Sequence, residues 1–167
     1  NESILELTAV KNEQLSAQIA LGSKKKLTGL KVYIEDLKSL NGAKIKKENI
    51  QIRYVEYVPV ERARSEFDWS PRLEEIIGEG VSGNRAPDIV GDPLLDLASV
   101  TVPSYRAQPV WFTFKIPKNV PTGVYEGNLK IRSDENAGVL YRVRLSVLEK
   151  SLPDPKDFHF HLDLWLN

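Results

Sequence analysis

The chain contains no cysteine and no methionine. Without cysteine there is no thiol nucleophile, no thiolate metal site and no disulfide framework, and the redox compartment leaves no mark. A primary translation product begins with methionine, whereas this sequence begins with Asn1. The expectation is a processed or excised piece from which any signal peptide is already gone. Net charge is missing too, because 23 Lys and Arg balance 23 Asp and Glu. A nucleic-acid binder needs an uncompensated basic footprint, so no nucleic-acid partner is expected. Apolar runs are a few residues long, far short of the ~20 that a membrane-spanning helix requires. What the chain has is length. Its 167 residues can bury roughly 70% of the unfolded surface without a metal or disulfide staple.

The dominant period is two. Leu15, Ala17, Ile19 and Leu21 alternate with small or polar neighbours, as do Leu30, Val32 and Ile34, and Ile50, Ile52 and Tyr54. Val110, Phe112, Phe114 and Ile116 form a fourth set, Tyr125, Gly127, Leu129 and Ile131 a fifth, and Val139, Tyr141, Val143, Leu145 and Val147 a sixth. Successive strand side chains point to opposite faces, so each set marks a buried face and a wetter one. Residues 4–10 add a strand at the front. Asn41-Gly42 is a strong turn dipeptide. Turn-rich stretches at 117–123 and 134–138 make residues 109–149 read as a three-stranded antiparallel meander. The fold class is therefore all-β, a two-sheet antiparallel β-sandwich, with a barrel as the alternative.

Residues 61–104 break the rhythm with Pro71, Pro87, Pro93 and Pro103 and with Gly78, Gly80, Gly83 and Gly91. Only Leu73, Ile76 and Ile77 have helical spacing, enough for a short helix. Loops this long are uncommon in compact domains. The segment reads either as a long irregular crossover between the sheets or as a partner-contacting surface. The tail differs again. Residues 151–157 form a stiff Pro-rich linker, and residues 158–167 are another strand-like run with no partner in the sequence. An uncovered strand is an aggregation liability. The expected organisation is a sandwich over 1–150, a linker over 151–157, and a truncated first strand of a following domain over 158–167.

Few constellations carry chemistry. His159 and His161 are the only histidines. Their spacing places two imidazoles on one strand face about 7 Å apart, but a metal would need carboxylates from elsewhere. Polar residues alternating with Phe158, Phe160 and Leu162 are the plainer reading, so neither metal nor cofactor is expected. Glu74-Glu75 and the pair Asp92 and Asp96 lack any visible environment that raises one carboxyl pKa beside an ionised partner. They read as solvated loop residues, with Asp92 as a helix N-cap. No Gly-x-Ser-x-Gly elbow supports a serine nucleophile. Residues 78–83 look like a flexible loop rather than a phosphate cradle, since no clear strand precedes them. Lys24-Lys25-Lys26 reads as a solvated turn. Trp69, Trp111, Trp165 and Tyr105 could stack on sugars. Trp111 is out of phase with Phe112 and Phe114, which suits an interface, while packing is the plainer role.

The order of segments resembles the N-terminal β-sandwich domain of glycoside hydrolase family 123 and related bacterial glycosidase-like proteins. The resemblance runs through Lys11-x-Glu13-x-x-x-Ala17-Gln18 and Asp92-Pro93-Leu94-Leu95. It is clearest in the Gln108–Pro117 stretch around Trp111 and in Pro121-Thr122-Gly123-Val124-Tyr125-Glu126-Gly127. It closes with Leu152-Pro153-Asp154-Pro155 and Leu162-Asp163-Leu164-Trp165, so it covers most of the chain. It implies a non-catalytic accessory domain that packs on a catalytic (β/α)8 barrel. In that family the barrel releases β-linked N-acetylgalactosamine, using the substrate acetamido group and an Asp-Glu pair. No position here inherits that pair. Trp165 and Asn167, at the end of a strand similar to the first barrel strand, are the residues expected near substrate in a longer protein. Asp92, Pro93, Leu94 and Trp111 are the expected domain interface. The expected partner is that downstream barrel of the same polypeptide, with glycans as a further candidate, and the resemblance implies an extracytoplasmic location. The competing classes are a carbohydrate-binding module with its own glycan affinity and an extracellular protein-interaction sandwich.

Overall fold

Alternating Val, Phe, Leu and Ile give a strand one dry face, and two such faces must meet to bury it. The computed structural model describes residues 4–60 and 88–159. Its strands are β1 (Ile4–Lys11), β2 (Gln14–Gly22), β3 (Leu27–Ile34), β4 (Leu37–Ser39), β5 (Lys44–Ile45) and β6 (Ile50–Val60). They continue with β7 (Asp88–Leu95), β8 (Val100–Val102), β9 (Ala107–Lys115), β10 (Gly123–Ser133) and β11 (Asn136–Ser151). The first sheet runs β1-β11-β10-β3-β8, with β4 and β5 attached beside β10. The second runs β2-β9-β6, and β7 pairs with β6. The protein is an all-β sandwich.

The chain divides into two compact units. The larger comprises Asn1–Tyr54 with Asp96–Asn167 and holds the core. Val110, Phe112 and Phe114 of β9 are fully buried, as are Tyr125 and Leu129 of β10 and Val143 and Leu145 of β11. Leu30, Val32 and Ile34 of β3 complete the layer, with Leu37 and Ile45 beneath the β4–β5 hairpin. Each such side chain is worth roughly 1.5–3 kcal/mol relative to exposure. Tyr54 braces the interior from β6. Its hydroxyl accepts the Val32 N–H at 3.1 Å and donates to the Leu30 carbonyl at 3.4 Å. The smaller unit, Val55–Leu95, contains the outer part of β6 and β7, with Val55 buried and Tyr57 exposed.

The front strand forms as expected at Ile4–Lys11. Asn41-Gly42 closes the β4–β5 hairpin with Gly42 at φ 84°. Lys24, Lys25 and Lys26 are exposed between β2 and β3. Three expectations change. Residues 109–149 are not a single meander: β9 pairs with β2 and β6, while β10 and β11 form a hairpin in the other sheet. A period of two identifies the buried face and carries no information about which sheet buries it. Pro117 and Pro121 supply no N–H to extend a ladder, and the chain changes layer between them. Next, β1 and β11 pair in parallel, the one such pair among the registers resolved. Nearly the whole chain intervenes as the crossover, so no hairpin constrains their direction. Finally, the expected crossover 61–104 contains β7 and β8. Asp92 therefore lies in a strand and caps no helix. Pro93 is tolerated because β7 is an edge strand. The helical spacing at Leu73, Ile76 and Ile77 lies outside the described residues. Among the described residues the helical turns are two 3-10 turns, Lys47–Asn49 and Pro155–Asp157. No helix among them is long and apolar enough to cross a membrane.

Candidate functional site

The best-built polar cluster ties the turn between β1 and β2 to the residues just after β11. The turn between β1 and β2 places Asn12 at φ 61°, a left-handed conformation that Asn tolerates better than most residues. Glu13 closes this turn by accepting the Val10 N–H at 2.7 Å. The Asn12 amide nitrogen then reaches three acceptors on the tail. These are the carbonyls of Leu152 and Pro153, at 3.1 and 3.2 Å, and the Asp154 carboxylate at 2.9 Å. The Leu152 N–H donates to the Lys11 carbonyl at 2.9 Å. From the loop before β10, the Lys118 ammonium meets the other Asp154 oxygen at 2.9 Å. The Lys118 and Asn12 hydrogen bonds hold the Asp154 carboxyl below its usual range. One strand end higher, Glu149 accepts the Thr122 hydroxyl at 2.6 Å and lies 3.8 Å from the Lys11 ammonium. Those contacts, Thr122 first, pull its pKa down as well. Parallel pairing of β1 with β11 brings both ends of the clamp together, since Lys11 is in register with Ser151.

A second feature is an open depression of about 500 Å³ over the β3–β4 connection, lined by Glu35, Asp36, Lys38, Lys47, Glu126 and Asn128. Its acids already have partners. Glu35 accepts the Asn128 amide at 3.0 Å and pairs with Lys130 at 2.5 Å. Lys130, then Asn128, lowers its pKa. Asp36 accepts the Lys47 N–H at 3.0 Å. On the β10–β11 turn Glu135 accepts both the backbone N–H and the hydroxyl of Thr28, which brings its pKa to about 2. Among the described residues, the carboxyls of Glu35, Glu135, Glu149 and Asp154 all move downward, the direction of a structural anion. A general acid would move upward.

The residues expected from sequence are scattered. Asp92, Pro93 and Leu94 lie on β7, Asp92 exposed and the other two half-buried. Trp111 is half-buried on the outward side of β9, in register with Gln18 on one flank and Arg53 on the other. Tyr105 is 81% exposed at φ 57°, just before β9. It is roughly 20 Å along the chain from Trp111. His159 is exposed, and no metal-holding cluster of His, Cys, Asp or Glu occurs among the described residues. Trp165, Asn167, Trp69, His161, Glu74, Glu75 and the glycine-rich residues 78–83 lie outside them. Asn12 and Lys118 are not singled out by strand alternation or by any motif in the sequence. The available signal was an Asn between two alternating strands, a residue type that favours the left-handed region.

The profile of the glycoside hydrolase 123 N-terminal domain matches residues 1–133. Among solved structures, a family 123 glycoside hydrolase from Clostridium perfringens superposes with a TM-score of 0.71 at 20% identity. The match covers 94% of this chain and 24% of that one. The periplasmic chaperone SfaE aligns over 94% of this chain and 60% of its own at 10% identity, with a TM-score of 0.42. None of the curated proteins matches. The chain belongs to the glycoside hydrolase 123 N-terminal domain family.

Proposed function

We propose that this chain is the non-catalytic β-sandwich of a glycoside hydrolase and serves as a scaffold for a catalytic barrel further along the same polypeptide. The observation that carries the reading is the clamp at the exit. Asn12, Lys11 and Lys118 hold Leu152, Pro153 and Asp154 on the body of the sandwich. A tether fixed this way presents the following segment in a set direction, which is preorganisation rather than chemistry. The downward carboxylate shifts agree, since these acids serve as structural acceptors. That this chain spans about a quarter of the similar Clostridium perfringens protein also agrees.

In this reading the substrate of the whole protein is a β-linked N-acetylgalactosaminide, and its location is extracytoplasmic. Asp92, Pro93, Leu94 and Trp111 contribute to the domain interface, and Trp165 and Asn167 lie near the sugar. The purified chain is expected to release no nitrophenol from 4-nitrophenyl N-acetyl-β-galactosaminide above a blank. Turnover would remove the reading. The exposure of Tyr105 favours one competitor, a module with its own glycan affinity. A saturable change in Trp fluorescence on titration with N-acetylgalactosamine oligosaccharides would favour that competitor.

A further inference from the structure

An open sheet has edges, and an edge strand offers unpaired N–H and C=O groups to any other strand. Proteins blunt such edges with charge, proline, bulges or short strands. β1 carries Glu6 and Lys11 and shifts register between Val10 and Lys11. β8 and β5, at the other margin of the first sheet, are three and two residues long. β7 carries Asp88, Asp92, Gly91 and Pro93. The remaining edge, β2, has none of these devices. Gln14–Gly22 holds no charged residue and no proline, and it pairs with β9 along its whole length without a shift. The Ile116 N–H donates to the Glu13 carbonyl at 2.8 Å, which sets the phase of this antiparallel ladder. Leu15, Ala17, Ile19 and Leu21 therefore bond to β9, while Gln14, Ser16, Gln18, Ala20 and Gly22 turn their backbone groups outward. Pro109, which has no N–H, fits this phase because it lies opposite Ala20. Among the described residues no strand occupies the outward side of β2.

The charges at the two ends of this edge select its occupant. Glu13 stands at one end, and the exposed Lys24, Lys25 and Lys26 follow the other. Antiparallel pairing of two β2 strands brings Glu13 of each copy toward the lysine run of the other. Parallel pairing would set lysines against lysines, which is unfavourable. A two-fold axis at Gln18 places Gln14 opposite Gly22 and Ser16 opposite Ala20, so each outward N–H meets an outward carbonyl. On the half-buried side it places Leu15 opposite Leu21 and Ala17 opposite Ile19, and each copy covers apolar surface of the other. The contact is self-complementary and closes at two copies. We propose that β2 is a dimerisation edge whose occupant is the β2 strand of a second copy, antiparallel, with Gln18 facing Gln18 across the two-fold. This stands on the edge alone and does not depend on the scaffold reading.

Sedimentation velocity of this chain over a concentration series tests the proposal. The wild type should pass from monomer to dimer as concentration rises and stop there. Ser16→Lys with Gln18→Lys sets like charges against each other at the two-fold, so this variant should associate at least about tenfold more weakly. Ser16→Glu with Gln18→Glu should do the same. An equal mixture of the two variants should recover the dimer, because opposite charges then face each other. A misfolded variant would not be rescued in this way. Both side chains are exposed, so each variant should keep the wild-type urea midpoint at low concentration. Ile4→Lys with Thr8→Lys adds the same charge to exposed positions of the β1 edge and should leave the dimer intact. A wild type that stays monomeric throughout would overturn the proposal, as would a lysine variant of β2 that dimerises as well as the wild type. Equal loss of the dimer in the β1 variant would overturn it too. So would a mixture that stays monomeric, or open-ended growth beyond two copies.

Discussion

A Cβ placed on Gly127 would stand 2.6 Å from the Leu37 Cδ2 and 3.0 Å from the Asp36 carbonyl oxygen. Gly127 marks a changeover on β10. Residues Leu129–Arg132 pair with β3, whereas Tyr125 and Glu126 pair with β4. Between them the chain crosses over Gly127 and drives Leu37 into the core, where it is fully buried. The Leu37 side chain is fully buried and has little room to retreat. Gly127→Ala should cost about 1–3 kcal/mol through overpacking. In urea the unfolding midpoint should fall while the slope stays unchanged. An unaltered midpoint would mean that the β3–β4 connection yields freely.

Tyr54 joins the two layers by a polar contact inside an apolar core. The short β8 pairs with β3 at Leu27 and Leu30, which leaves the Val32 N–H beyond its end. The Tyr54 hydroxyl answers that donor from the opposite sheet. Tyr54→Phe removes the acceptor while keeping the ring. The expected loss is about 1–3 kcal/mol, the usual cost of an unanswered buried donor. Burial raises the hydroxyl pKa, so the wild-type group also stays neutral well into alkaline conditions. Spectrophotometric titration should show one fewer late-ionising tyrosine in the variant. Equal stability and equal titration curves would contradict the strut.

The strands were legible because they rest on local alternation. β2, β3, β9, β10 and β11 are all visible as apolar residues at every second position. The β10–β11 hairpin was visible through its turn at 134–138, but the partners of the other strands were not. Phe112 on β9 and Tyr125 on β10 carry the same pattern and belong to different sheets, since burial from either side leaves the same signature. β7 escaped notice because Gly91 and Pro93 interrupt its short run. The clamp was hidden for another reason. Asn12 and Leu152 are 140 positions apart, so only the parallel pairing of the first and last strands brings them together. Pro153, Asp154 and Pro155 read as a stiff linker, and nothing local shows that such a linker is docked.

The clamp predicts an ordered series. Asn12→Gly removes the side-chain hydrogen bonds while keeping a backbone at ease at φ 61°. Asn12→Ala removes the same bonds and adds roughly 1–2 kcal/mol of left-handed strain. Lys118→Met breaks an exposed ion pair, which contributes little to stability. Destabilisation should therefore rise from Lys118→Met through Asn12→Gly to Asn12→Ala. Hydrogen exchange at the Leu152 amide, which donates to Lys11, should accelerate in the same order. Full protection of that amide in Asn12→Gly would show that the tail stays docked without the clamp.

Glu135 supplies the pH dependence. Its carboxylate accepts from the Thr28 N–H and hydroxyl, and those bonds lower its pKa from 4.5 to about 2. The depressed folded value means the native state holds the charged form more firmly than the unfolded chain does. That stabilisation is complete above about pH 4.5 and drains away as the pH falls toward 2. The group is fully exposed, so salt should weaken the effect. Glu135→Gln should lower Tm at pH 7, where the wild type has charge-assisted hydrogen bonds that an amide cannot match. Descending in pH, the gap between the two melting curves should narrow from about pH 4.5 and close near pH 2. A gap that stays constant across this range would show that the Thr28 contact gains nothing from the charge.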